Sequence, residues 1–225
     1  MIRFCDLIFS GFALLCLSPL LLLVCLVLRV TGEGEVFFRQ QRIGKDHKRF
    51  GLLKFATMLK NSPSMGTGTV TMKNDPRVLP VGRFLRRSKI NEIPQLLNVL
   101  VGDMSLIGPR PQAPQCFDAF PVAAQEIIVK IKPGLSGIGP VIFRGEEDIL
   151  EGKAGTLDFY DTVIAPYKGE VESWYVERVS AVTYFALIFV TVWVVCFPKT
   201  DLVWRIFPEL PEPPDSLKQD LRYPA

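Results

Sequence analysis

Leu7–Val30 reads LIFSGFALLCLSPLLLLVCLVLRV, a run whose one formal charge is Arg29. As a helix rising about 1.5 Å per residue it matches a hydrocarbon layer of about 30 Å, so the sequence predicts a membrane segment over residues 1–30. A secretory signal fits less well, because the run exceeds a typical apolar signal core and no small-residue cleavage site closes it. Pro19, preceded by Ser18, removes one backbone donor and crowds the carbonyl of Leu15, which predicts a bend there. Arg3 precedes the run, and Arg29, Arg39, Arg42, Lys45, Lys48 and Arg49 follow it. Basic flanks stay on the cytoplasmic side. The residues therefore leave two topologies open: a kinked span, which is the default, and a re-entrant hairpin with both ends inside. A broken helix is tolerated in lipid where Ser18 or neighbouring protein satisfies the freed carbonyl.

Working outward, a second apolar run, Ala181–Phe197, is 17 residues long. That is short of the ~20 a span prefers, and it reads as a helix partly immersed beside the first. Four prolines at 208, 211, 213 and 214 predict an extended, peripheral tail over 201–225. With 225 residues, 48% hydrophobic and 22% charged, the chain is neither disordered nor repetitive. Its mean hydropathy of +0.25 points to lipid. A net charge of +3 gives no case for nucleic acid as a partner. Five cysteines without a CxxC and a single histidine, His47, disfavour zinc, disulfide scaffolds and histidine-based triads, leaving carboxylates, hydroxyls, lysines and oxygen-liganded Mg²⁺.

Residues 31–200 read as a mixed α/β, helix-rich body. Val36–Phe38 and Phe50–Phe55 are β-prone with a basic turn between them, predicting a hairpin. Across 39–60 there are seven Lys/Arg against one Asp, a face suited to anionic lipid, to a phosphorylated substrate or simply to water. Residues 61–74 are rich in Ser, Thr and Gly and read as a loop or lid. An apolar and arginine-bearing helix is predicted around Leu79–Arg87, and a second one after Asn91. With Asn91 as N-cap, Glu92 occupies the first turn, where the helix dipole also attracts phosphate; an ordinary helix start looks the same. Gly108-Pro109-Arg110-Pro111 holds Arg110 between rigid neighbours, a clamp for an anion or a stiffened turn.

Taken in order, the Ser18-Pro19 break, Val36-Phe37-Phe38-Arg39-Gln40 with Arg42-Ile43-Gly44, Lys54-Phe55-x-Thr57-Met58, Gly82-Arg83-Phe84-Leu85-Arg86, Glu92-x-Pro94-Gln95-Leu96-x-Asn98-Val99, Gly102–Pro111 and Lys132-Pro133-Gly134-Leu135 closely resemble the bacterial sugar transferases, the monotopic phosphoglycosyl transferases. The resemblance covers about residues 1–180. It implies an enzyme of the bacterial inner membrane that moves a sugar-1-phosphate from a UDP-sugar to polyprenyl phosphate at the cytoplasmic face, releasing UMP and opening glycan assembly. It implies Mg²⁺ and a re-entrant helix hairpin broken at Ser18-Pro19, under which a compact cytoplasmic catalytic domain with interfacial helices sits. It makes Glu92 and Asn91 the catalytic and metal-binding positions, and Lys54, Arg83, Arg86 and Arg110 the candidate substrate- and phosphate-binding cations. Membrane lipids, downstream glycosyltransferases and a second copy of the chain are the further partners it leaves open.

Two positions depart from the family pattern. An Asp usually stands at position 91 as the nucleophile; here it is Asn91, whose amide has no anionic oxygen to attack phosphorus. Ala56 replaces a common Arg. Three readings follow: Glu92 supplies the working carboxylate; the lipid phosphate attacks the UDP-sugar directly; or position 91 is inactivated, leaving a catalytically silent membrane scaffold.

Overall fold

The computed structural model describes residues 1–65, 75–150 and 156–224. Most of the predicted lid, residues 66–74, lies outside the described residues. The chain is a helix-rich α/β body carrying one long apolar N-terminal helix. In order come α1 (Ile2–Val30), β1 (Phe37–Ile43), β2 (Arg49–Phe55), α2 (Pro80–Arg87), α3 (Gln95–Val101), β3 (Ser105–Ile107), α4 (Pro114–Asp118) and α5 (Val122–Ile128). They are followed by β4 (Gly134–Ser136), α6 (Ile138–Ile142), α7 (Glu146–Leu150), α8 (Thr156–Phe159), α9 (Ala165–Glu177), α10 (Ala181–Cys196), α11 (Leu202–Ile206) and α12 (Asp215–Lys218). A π-helical turn, Tyr160–Ile164, joins α8 to α9.

Helix α1 is 29 residues long, with Pro19 inside it. Ser18 Oγ donates to the carbonyl of Leu15 at 2.7 Å, the group that the proline ring crowds. Its burial is confined to its two ends. Asp6 and Ser10 are buried near the start and Val24 and Leu28 near the end, whereas no residue from 11 to 23 is buried. At the start, the Arg3 guanidinium donates to the carbonyls of Val99 and Leu100 in the last turn of α3, where helical N–H donors run out. Asp6 Oδ1 accepts from Ser105 Oγ, the Leu106 N–H and Tyr184 Oη at 2.8–3.0 Å, which satisfies a carboxylate in an otherwise apolar helix. At the other end, Val24 and Leu28 pack with Phe55 and Leu85.

Strands β1 and β2 form the expected antiparallel hairpin, pairing Phe37 with Phe55 and Ile43 with Arg49. The basic turn lies at the end away from α1: the Asp46 N–H donates to Val129 O, and His47 pairs with Glu126 at 3.3 Å. At about 3.3 Å per residue, that turn stands some 20 Å from the Phe37–Phe55 end where α1 packs. The hairpin thus presents its aromatic end, rather than its basic edge, to the apolar helix. A short parallel pair, β3 with β4, carries the chain into the Gly108–Pro111 turn.

The main core gathers α6, α9 and α10 around Ile138, Val171, Tyr175, Tyr184, Leu187 and Val190. Helix α10 buries one side there and leaves Val182, Phe185, Phe189, Val192 and Val195 exposed. The same core contains Val203, Trp204, Phe207, Leu210, Leu217 and Leu221, so the tail is neither extended nor peripheral. Its prolines delimit short helices instead of excluding them: Pro208 follows α11 and Pro214 precedes α12. Trp204 Nε1–H donates to Leu221 O at 3.0 Å and Tyr167 Oη donates to Pro211 O at 2.7 Å, closing the tail onto α9 and onto itself.

Candidate active site

The chain does not cap a helix with Asn91. Ile90–Glu92 form a 3₁₀ turn, and α3 begins only after Pro94. Pro94 has no N–H to return to the carbonyl of Ile90, so that carbonyl takes the Ile93 N–H, three residues on, instead. Asn91 is left buried, 5% exposed, with Oδ1 unpartnered among the described residues. Asn98 fixes the position of α3 by imitating a third strand: its Oδ1 accepts the Leu53 N–H and its Nδ2 donates to Gly51 O, each at 2.9 Å. This docking carries Glu92 against Lys54 of β2.

Glu92 Oε1 lies 3.3 Å from Arg110 Nη2 and 3.7 Å from Lys54 Nζ. Burial works to raise the Glu92 pKa, but Arg110 and then Lys54 and Lys89 outweigh it, and the carboxyl is held well below its usual range. Burial pushes the Lys54 ammonium down to about 7; Glu92 opposes the fall and Arg42, Arg110 and Arg86 add to it. Arg42 enters on the same face as Lys54, since Lys54 pairs with Phe38, and residues 38, 40 and 42 share one side of β1. Its guanidinium donates to Gln40 Oε1 and Pro111 O, while Nε is buried and unpartnered among the described residues.

Above these groups opens a cleft of about 310 Å³, lined by Asn91, Lys54, Arg42, Arg86 and Arg39 together with Phe37, Phe38, Ala56 and Met58. Arg86 reaches it because α2 packs closely on the end of β2, where a Cβ on Gly82 would stand 2.2 Å from Thr57 O. The structure thus assembles Lys54, Arg86, Asn91, Glu92 and Arg110, and leaves Arg83 exposed on α2, away from the cleft. It adds Arg42, which the alternation of β1 places beside Lys54. It also adds Glu172 of α9, which no local pattern marks.

The oxygens offered to a cation here are few: Asn91 Oδ1 and the Glu92 carboxylate. Among the described residues no group of three or more His, Cys, Asp or Glu could hold a metal. Mg²⁺ usually takes one or two protein ligands and completes its shell with water and substrate phosphates, and the orphaned Asn91 oxygen fits such an ion. Chemically, a cationic floor under an aromatic mouth suits a substrate with several phosphate oxygens and an apolar part.

The sequence model described as bacterial sugar transferase matches residues 1–198. The chain belongs to the bacterial sugar transferase family. Among similar family members, the UDP-glucose:undecaprenyl-phosphate glucose-1-phosphate transferase of Klebsiella pneumoniae is 39% identical over 68% of this chain and 34% of its own length. The exopolysaccharide production protein ExoY of Sinorhizobium fredii is 30% identical over 86% of this chain and 84% of its own. A UDP-N-acetylgalactosamine-undecaprenyl-phosphate N-acetylgalactosaminephosphotransferase of Aeromonas hydrophila is 36% identical over 61% of this chain and 33% of its own. The chain thus spans about a third of the undecaprenyl-phosphate transferases it matches, and most of ExoY. In this bacterial sugar transferase the family match ends before α11, so the buried tail lies beyond it.

Proposed function

We propose that the chain transfers a sugar-1-phosphate from a UDP-sugar to undecaprenyl phosphate or a similar polyprenyl phosphate, giving the polyprenyl diphosphate sugar and UMP. The observation that carries this reading is the convergence of Lys54 and Arg110 on the single carboxylate of Glu92, with Lys54, Arg42 and Arg86 lining the cleft beside Asn91. That surplus of positive charge is costly to bury without an anionic ligand, and a diphosphate with an incoming phosphate supplies one. The names of the Klebsiella pneumoniae and Aeromonas hydrophila relatives agree on undecaprenyl phosphate and differ on the sugar.

The route that fits these residues is direct displacement. An oxygen of the lipid phosphate bonds to the phosphorus bearing the sugar, the bond from that phosphorus to the bridging oxygen breaks, and its electron pair leaves with UMP. Asn91 faces the cleft, and Glu92 lies below it with Oε1 engaged by Arg110 and Lys54, so Glu92 serves as an anchor for the two cations. Arg42, Lys54 and Arg110 offset the charge that gathers on the transferring group. Mg²⁺, when bound beside Asn91 and Glu92, supplies further neutralisation of the diphosphate.

The test is UMP release from UDP-glucose and other UDP-sugars with undecaprenyl phosphate and Mg²⁺ in detergent. Release by the wild-type chain is expected. If the wild type is silent over the sugar panel while Asn91→Asp turns over, the chain is a scaffold inactivated at position 91, and the transferase reading is lost. Lys54 gives a second check. Above pH 7 its ammonium discharges and loses its hold on phosphate, so kcat/KM, which reports the free enzyme, falls on the alkaline side. Lys54→Arg keeps its charge and removes that limb; a limb of unchanged position takes Lys54 out of phosphate binding.

We further infer that α1 enters and leaves the membrane on one side, under which residues 31–200 form the cytoplasmic catalytic domain and α10 lies at the interface. Support comes from the docking of both helix ends on the same body, the exposed middle, and Ser18 covering the Leu15 carbonyl. Phe4 is exposed at the first turn of α1. In a variant whose only cysteine is Phe4→Cys, an impermeant maleimide added from outside should leave it unlabelled, because both helix ends lie inside; labelling means a crossing helix.

A further inference from the structure

Helix α9 is a core helix, with Val171, Trp174 and Tyr175 buried, yet it also buries Lys168 and Glu172 one turn apart. Lys168 Nζ is satisfied by Glu146 Oε2 at 2.5 Å and lies over the Phe143 ring. Glu172 is 1% exposed: Oε1 accepts the backbone N–H of Arg110 at 3.0 Å, the backbone of Gly139 also favours its charged form, and Oε2 is unpartnered among the described residues. The fit around Oε1 is close enough that a Cβ on Gly139 of α6 would come within 2.2 Å of it. A half-satisfied carboxylate in an apolar core is costly, and an apolar side chain of that volume would serve packing better.

What Glu172 holds is the turn that aims Arg110. Its oxygen fixes the Arg110 backbone from behind; the Arg110 guanidinium reaches forward to Glu92, which also faces Lys54. The neighbouring links of the turn are Gly134 N–H to Pro109 O at 2.8 Å, Gly108 N–H to Ser136 O at 2.9 Å and the Arg42 guanidinium to Pro111 O at 3.2 Å. Among the described residues, the partner of the Arg110 backbone N–H is this side chain.

We propose that Glu172 is a positioning residue of the transferase site, acting through Arg110 on the phosphate-binding floor of the cleft. The proposal rests on the reading of that cleft as a UDP-sugar site. It is supported by the burial that pushes the Glu172 carboxyl up to about 7, since a group kept only for its charge would be poorly served there, whereas an acceptor oxygen works in either protonation state.

A double-mutant cycle separates this role from a general structural one. UDP-glucose affinity, by thermal shift and calorimetry, and kcat/KM are measured on full-length wild type, Glu172→Ala, Arg110→Ala, the double variant and Glu172→Gln. Glu172→Ala should lose about tenfold to a hundredfold, the scale of a reacting group displaced by an ångström. On the Arg110→Ala background the same change should cost nothing further. Glu172→Gln, which keeps the volume and an acceptor oxygen, should recover to within about threefold of wild type, and it carries the test if the alanine variant does not fold. Multiplying losses in the cycle, or a glutamine variant as poor as alanine, overturn the proposal. A wild-type chain that neither binds any of the UDP-sugars in the panel nor releases UMP from them overturns the cleft reading and this one together.

Discussion

Glu92→Gln is expected to reduce UMP release at least a hundredfold while leaving the chain folded. The amide keeps the volume and can still accept a bond, but it withdraws the charge that Lys54 and Arg110 share at 3.7 and 3.3 Å. Removing one partner from a buried ionic group leaves the others uncompensated, at a cost of about 3–5 kcal/mol. At about 1.4 kcal/mol per factor of ten, that amounts to roughly two to three and a half decades if it falls on the working geometry. Lys54, already driven down by burial, would lose the one neighbour that opposes the fall, and more of it would be neutral at pH 7. Steady-state assays in detergent, with circular dichroism to check the fold, decide the matter. Turnover within threefold of wild type would remove Glu92 from the site and undo the proposed arrangement of its floor.

The second large effect concerns stability. A chain ending at residue 198 keeps everything the family match covers, yet it should fail to fold. The missing segment buries Val203, Trp204, Phe207, Leu210, Leu217 and Leu221 in the main core. At about 1.5–3 kcal/mol for each large apolar side chain, even after allowing for partial burial in the unfolded chain, the loss is on the order of 10 kcal/mol, as large as the whole stability of a typical domain. Truncation also exposes Trp174, whose ring packs edge-on against Phe207, and frees Tyr167 Oη from Pro211. Thermal unfolding and detergent extraction yield should show aggregation of the shortened chain. A truncated protein that melts within a few degrees of the full one would mean that the tail only rests on the core.

How much of this could be read from the residues depends on the range of each interaction. The apolar helix, the β1–β2 hairpin and the pairing of Ser18 with the Leu15 carbonyl follow from local composition and from what proline does to its own turn. The grouping of Lys54, Arg86, Asn91, Glu92 and Arg110 came from a resemblance between motifs; spacing alone would not have joined β2 to α3. Asn98 makes that join through hydrogen bonds to Gly51 and Leu53, more than forty positions away. Arg42 was within reach of strand alternation once the hairpin register was fixed. The tail departs from the expected extended form because its four prolines punctuate short helices rather than exclude them; its aromatic and leucine content is the signal for burial. Asn91 was misplaced by one principle overriding another: a good capping residue lost to the missing N–H of Pro94. Glu172 had no local signature, since a glutamate in a helix is ordinarily solvated.

The twin attachment of α1 has a consequence for where such a chain can work. Proteins whose hydrophobic stretch must reach from one leaflet to the other are sorted by bilayer thickness. On the proposed one-sided topology, a helix whose first and last turns are both fastened to one globular body measures its immersion from that body alone. Its depth would then be an internal property of the protein, indifferent to the far leaflet, and the distance between the cleft and a lipid headgroup would stay constant when the membrane thins, thickens or changes its acyl chains.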